Sequence, residues 1–319
     1  TDRVTNLAIT SSSGVLEFTN NLYAGAMSNA GGTAEIKFYG SFTDITSAVT
    51  LSTTGAVYYG NATSDVLTFT RGITHDTGNN ILLGEFTAAN PSTCTSGTTC
   101  SFNLGGTTTF LSSNSVFDFG ASSITLNNVL LGDGVTLYLG GGSSGSITVA
   151  SITGTSGGSA SNVVINTTGV VNITGAIGTD IGTITITNSG GTTFGGTVNA
   201  STITLTNTTG TVTFNDVLTA STINTATQAY NVAINASGST VNNAITFSNT
   251  GTVALGASAG TQTYAGGFTA TAPSATTLKG TINSTNASMS LGAITLGANA
   301  TLNTNATTNS GTLSIGAVT

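Results

Sequence analysis

Residues 183–188 read Thr-Ile-Thr-Ile-Thr-Asn, 191–194 Gly-Thr-Thr-Phe and 197–201 Thr-Val-Asn-Ala-Ser. The phrase then restarts: Thr-Ile-Thr-Leu-Thr-Asn at 202–207, Thr-Val-Thr-Phe at 211–214 and Val-Leu-Thr-Ala-Ser at 217–221. Ile184 returns as Ile203 after 19 residues, Phe194 as Phe214 after 20, and Ala200 as Ala220 after 20. A third copy opens at Ser221-Thr222-Ile223. Within the unit, apolar residues alternate with Thr, the period-2 pattern of strands with one buried face. Between units the period is about 20 residues, in the range of arrays whose units pack only on their neighbours. Three short strands and three turns in that length match one rung of a parallel β-helix, paired to the next rung at about 4.8 Å. The expectation is an all-β chain, a parallel β-helix (β-solenoid) with rungs of about 20 residues, right-handed by the preference of parallel crossovers. A string of antiparallel sandwiches predicts strands about every 8–12 residues within modules of about 100, which the shorter repeat does not fit.

This register assigns sides. Ile184, Ile186, Phe194, Val198, Ile203, Leu205, Val212, Phe214 and Ile223 point inward and stack like on like, with Ile184, Ile186, Phe194, Ile203, Leu205 and Phe214 as the core ladder. Thr183, Thr185, Thr187, Thr202, Thr204 and Thr206 form outward rows, because a β-branched hydroxyl residue suits an exposed strand position without needing charge. Asn188 and Asn207 are expected to stack as inward or corner ladders. Helices are nearly excluded, since Gly and β-branched residues interrupt every window of helical period.

Composition narrows the function classes. Only 5% of residues are charged, with 4 Lys+Arg, 11 Asp+Glu, one His and a net charge of −7, against about 25% charge in ordinary globular chains. So few cations cannot neutralise a phosphate backbone or hold anionic lipid, so neither nucleic acid nor a membrane surface is an expected partner. No apolar run reaches the 18 or so residues of a membrane span, so insertion into a bilayer is not expected. Disorder is the alternative for so polar a chain, but 38% of residues are apolar and they fall on alternation. No signal-peptide pattern opens the sequence, and no polar cap closes it at Gly316-Ala317-Val318-Thr319. The expectation is a segment of a longer array.

The chain divides by composition. In residues 1–109 the repeat is degenerate and loop-richer, and seven of the eleven acids and three of the four bases stand at or before Glu85. Strand phrases ending in Phe recur at Phe18, Phe38 and Phe69, the last 31 residues on, which suggests an insertion or a lengthened rung. Residues 110–319 are a regular Thr/Gly/Asn-rich array. It carries apolar-x-apolar-Gly-Ala phrases at 117–121, 253–257, 289–293 and 313–317, and Thr-Gln-x-Tyr at 227–230 and 261–264. At the end of the first section, Asn90-Pro91 starts a turn, and Cys94 and Cys100 are the only cysteines. Their spacing is not that of a metal or redox pair, and a local disulfide is the preferred reading over two free thiols. Such a loop adds about 2 kcal/mol in the chain-entropy model and points to an oxidising compartment.

The Thr/Asn/Gly-rich units, with Thr-Gln-x-Tyr, Ile-Thr-Leu-Gly-Ala-Asn-Ala-Thr-Leu at 294–302 and Gly-Thr-Val-Thr-Phe at 210–214, resemble filamentous-haemagglutinin-like bacterial surface adhesins and autotransporter passengers. The resemblance covers most of the chain from about Phe110 and, more faintly, the front. It implies a right-handed β-helix, outer-membrane export machinery as a partner of the full-length protein, and adhesive roles at the cell surface. The Asn-Pro-Asn-Gly type signature of that family's secretion domain is not matched, since Asn90-Pro91 continues Ser-Thr-Cys.

Chemistry is sparse. Arg71, His75, Asp76 and Glu85 are the densest ionisable group, with Asp118 further on. The His75-Asp76 pair reads as a solvated turn in preference to a catalytic dyad. Neither clustered carboxylates nor repeated Asp-x-Asp is present, so no enzyme, metal or cofactor is expected. The functional expectation is a non-enzymatic structural segment of an exported, extracellular fibre or adhesin. It would form a stiff shaft that self-associates end to end or laterally through open ladder edges. The alternative from another class is a glycan- or ice-binding module using the outward Thr/Asn rows, with cell-surface glycans as partners.

Overall fold

The computed structural model describes residues 3–10, 13–62, 64–75, 77–83, 85–88, 102–118, 120–305 and 311–319. Cys94, Cys100 and Asp76 lie outside the described residues. Among these residues there is no helix, and the chain is a parallel β-solenoid with rungs of about 21 residues. It forms two compact units, Thr1–Val170 and Val171–Thr319. The compositional shift at 109/110 falls inside the strand Phe102–Leu111.

In the first unit each turn supplies three strand segments, each continuing a parallel ladder. The first ladder runs through Val15–Phe18, Glu35–Phe38, Val57–Tyr59, Asn80–Leu82 and the second halves of Phe102–Leu111, Ile124–Leu131 and Ile147–Gly154. The second takes the start of Leu22–Asn29, then Phe42–Ile45, Val66–Phe69, Glu85–Ala88, Ser115–Phe117, Thr136–Leu139 and Ser161–Asn166. The third joins Val4–Ile9, the end of Leu22–Asn29, Val49–Leu51, Ile73–Thr74 and the first halves of the three long strands. Those long strands turn a corner, closing one rung and opening the next.

This geometry corrects the reading of the phenylalanine phrases. Phe18 and Phe38 are ladder partners, with rings stacked at 5.5 Å. Phe69, however, pairs with Ile45 on the second ladder, while the partner of Phe38 is Tyr59. Phe69 meets Phe38 edge-on across the core, 6.0 Å between centroids. The 31-residue interval is therefore a change of face, not a lengthened rung.

The second unit repeats the scheme with its own three ladders. Thr192–Phe194, Thr211–Phe214, Asn231–Ile234 and Thr252–Leu255 stack on one. Val198–Leu205 and Leu218–Thr225 each span the other two. The register equals the repeat read from sequence: Ile184 pairs with Ile203, Phe194 with Phe214 and Ala200 with Ala220. All six core-ladder residues are buried. The apolar side chains of one rung thus rest on those of the next, and each removed methylene is felt by two rungs.

Corners are held by hydroxyls as much as by glycine. Thr-Thr-Gly occurs at 53–55, 167–169 and 208–210. In each copy the first Thr is buried. Its Oγ1 donates to a carbonyl of the preceding rung: Thr53 to Ala34, Thr167 to Gly145 and Thr208 to Ser189. The same oxygen accepts the N–H of the glycine two residues on. One atom therefore satisfies a donor and an acceptor that the turn takes out of the ladder. Buried stacking at this corner is Ser189 on Thr208, hydroxyls 2.8 Å apart, one residue beyond Asn188 and Asn207. An Asn ladder does form elsewhere, outside, where Asn235 Nδ2 donates to Asn215 Oδ1 at 3.2 Å.

Candidate functional site

The ionisable candidates do not converge. Arg71 is exposed, and the side chains of Asp76 and Glu85 are not among those described. Asp118 caps its own turn by accepting the Gly120 N–H at 3.2 Å. Among the described residues no three of His, Cys, Asp and Glu come together to hold a metal ion.

His75 is placed differently from the solvated turn expected of it. The ring is fully buried, with Nε2 3.0 Å from the Thr53 carbonyl oxygen and Nδ1 2.9 Å from Asn80 Oδ1. Asn80 Oδ1 also accepts the Tyr59 hydroxyl at 3.1 Å, and Thr77 Oγ1 donates to the same Thr53 carbonyl. Short strands around Ile73-Thr74 and Asn80 leave these polar groups inside, within hydrogen-bond distance of one another. The imidazole is a corner strut.

The Thr-Gln-x-Tyr phrases also diverge. Gln262 is buried, its Nε2 donating to the carbonyls of Ile234 and Ala236, and Tyr264 donates to its Oε1 at 3.0 Å. Gln228 is exposed on a turn, and only Tyr230 of that copy is buried, its hydroxyl donating to the Leu205 carbonyl at 3.0 Å.

Two outer faces stand out. In the second unit the predicted outward threonines do lie outside, Thr183, Thr185, Thr202 and Thr204 half-buried and Thr187 and Thr206 exposed. They continue as rows of short polar side chains. Thr185 and Thr204 lead to Asn224, and Thr246, Thr269, Ser290 and Ser314 align further along. Asn199, Thr219, Thr240, Thr263, Asn283 and Asn303 form a second row.

In the first unit the outer column of the first ladder is different. Lys37 pairs with Tyr58, Tyr58 with Ile81, Ile81 with Phe110 and Phe110 with Leu130, all half-buried. Beside Ile81 and Phe110 runs a groove of about 180 Å³, lined also by Asn79 and Thr108. At the head of the column the Lys37 ammonium lies 5.1 Å from the Tyr58 ring and 5.8 Å from Tyr39, paired with Glu35 at 3.2 Å. Sequence reasoning missed this column because its members stand 23 and 29 residues apart, at offsets the 20-residue repeat does not suggest. The available signal was apolar residues at strand positions that Thr fills in the regular array.

Compared with known proteins, the chain matches no family model, no curated protein and no solved structure.

Proposed function

We propose that this chain is a non-enzymatic structural segment, a β-helical shaft of an exported bacterial surface fibre or adhesin of the filamentous-haemagglutinin-like kind. The observation that carries this reading is the identity between sequence repeat and ladder register in the second unit, where Ile, Phe and Ala each stack on their own kind. Such a chain invests its sequence in rung-to-rung cohesion rather than in a concave, charged centre. Its scarcity of Lys and Arg leaves few tryptic sites, which suits an extracellular setting, with export machinery and self-association as the partners implied.

Cryo-electron microscopy of the purified chain tests this reading. Filaments or lateral sheets with rungs spaced at about 4.8 Å are the expected result. Monodisperse particles that never associate, together with turnover of any substrate, would overturn it.

A second reading rests on the hydroxyl and amide rows of the second unit, whose regular spacing suits ice or a glycan. Thermal hysteresis or saturable glycan binding, abolished by Thr185→Ala with Thr204→Ala, would favour it over the shaft.

A further inference from the structure

We infer that the outer column Tyr58, Ile81, Phe110 and Leu130, with the groove beside Ile81 and Phe110, is a binding strip for a neutral, extended β-linked glycan. The column is out of character for the outer positions of the array. In the second unit these are short residues, Thr193, Thr213, Ala233, Ala254 and Thr277 on one ladder and Asn199, Thr219, Thr240 and Thr263 on another. Large apolar side chains half-exposed on the outer face of consecutive rungs mark an interaction site.

Four observations select the ligand. The strip is one residue wide and several rungs long, so its partner is thin and extended. The groove's 180 Å³ is below the roughly 300–1,000 Å³ of compact small-molecule pockets and has room for a ring-sized group. Next, the strands beneath are paired on both sides, Asn80–Leu82 with Val57–Tyr59 and with Phe102–Leu111. No ladder edge is open there for a peptide to extend, which removes main-chain recognition.

Charge is the third. The ionic groups at the strip's head are Lys37, paired with Glu35, and Glu17, the ladder partner of Lys37, a net negative set, and Ile81, Phe110 and Leu130 carry none. A polyanion finds no cation to release counterions against. The fourth is the flank: Asn79 and Thr108 line the groove, and Asn128 and Ser151 follow Thr108 in register. Apolar faces beside amide and hydroxyl edges complement a sugar ring, which has C–H faces and hydroxyl rims. Tyr58 and Phe110 are two rungs apart, about 9.6 Å, a span on the scale of two residues of an extended β-linked glycan. The corner of Phe102–Leu111, where the register shifts between Leu104 and Thr108, sits beside the groove.

The test uses the full chain, with cellohexaose, chitohexaose and xylohexaose as probes and heparin as the charged comparison, read by isothermal titration calorimetry. Saturable binding of at least one neutral oligosaccharide, insensitive to salt, is expected. Tyr58→Thr with Phe110→Thr should weaken it about tenfold or more with an unchanged circular dichroism spectrum and an unfolding midpoint that stays well above the assay temperature. These outward substitutions install the residue that the regular array uses, and Ile81→Thr alone serves as a milder variant. Thr185→Ala with Thr204→Ala, on the second unit, should leave binding intact, which separates this proposal from binding by the hydroxyl rows. No binding of any neutral probe, or binding that the strip variants leave unchanged, overturns the inference. So does binding confined to heparin and lost in salt, or self-association in sedimentation velocity that disappears in the strip variants, which would make a second copy the occupant.

Discussion

The ring of Phe214 stacks on that of Phe194 with centroids 4.8 Å apart and planes 8° from parallel. That separation equals the spacing between paired strands, so the ladder sets the ring stack and neither ring tilts to fill space. Both are buried, and each closes part of the other's cavity. Phe214→Ala is expected to cost about 3–5 kcal/mol. Adding Phe194→Ala should cost less than a second full increment, because the two voids merge. Urea unfolding followed by circular dichroism checks this; strictly additive losses would show that the rings do not share packing.

The Thr208–Gly210 corner makes two separable predictions. Thr208→Val keeps shape but removes a hydroxyl that donates to the Ser189 carbonyl and accepts the Gly210 N–H. The loss should be about 1–3 kcal/mol, the scale of a buried group left without its partner. Gly210→Ala fails for another reason: its Cβ would fall 2.5 Å from the Gly190 carbonyl oxygen. Because that neighbour is backbone of the adjacent rung, relief requires rungs to part. We expect Gly210→Ala to lower the unfolding midpoint more than Thr208→Val. Thr208→Ser, which keeps the hydroxyl, should lie closest to the parent.

His75 gives a test of its structural role. His75→Ala removes a buried imidazole whose nitrogens lie 3.0 and 2.9 Å from the Thr53 carbonyl and Asn80 Oδ1 and leaves a hole beside Tyr59. At least about 2 kcal/mol of stability should be lost. The Asn80→Ala variant should lose a similar amount, and the double variant less than the sum, since the two share one hydrogen-bond network. Equal stability of His75→Ala and the parent would mean that the ring contributes nothing to the corner.

What was legible in the sequence was local and periodic. Ile184, Ile203, Phe194 and Phe214 could be paired by counting, because identical side chains recur at the offset the ladder uses. Phe38 and Phe69 misled, because a residue type at a strand end does not say which of three faces the strand lies on. Thr53, Thr167 and Thr208 were written in a repeated tripeptide, yet a buried corner hydroxyl looks in sequence like any surface threonine. His75 looked solvated because its partners, Thr53 and Asn80, belong to different turns of the chain. The strip from Tyr58 to Leu130 was hidden for a related reason: its neighbours are set by rung lengths that vary, and those lengths emerge only when strands are paired.

The buried tyrosines make the last prediction. Burial raises the hydroxyls of Tyr59 and Tyr264 above the ordinary value of 10.0, and it is also the leading cause for Tyr230. All three hydroxyls are hydrogen-bonded inside, to Asn80, Gln262 and the Leu205 carbonyl respectively. A raised value means the folded chain keeps these protons to higher pH than the unfolded chain does. Their contribution to stability is therefore complete below about pH 10, the unfolded value, and is lost as pH rises from there towards the folded values. Alkaline titration should show tyrosinate absorbance from the buried residues arriving together with loss of the β signal in circular dichroism, as one cooperative step. Tyr264→Phe removes one of the three titrating groups and should soften the alkaline transition, although it leaves Gln262 Oε1 without its donor and lowers stability at neutral pH. Tyrosinate developing in full before any loss of β signal would show that these hydroxyls are reached by solvent in the folded chain.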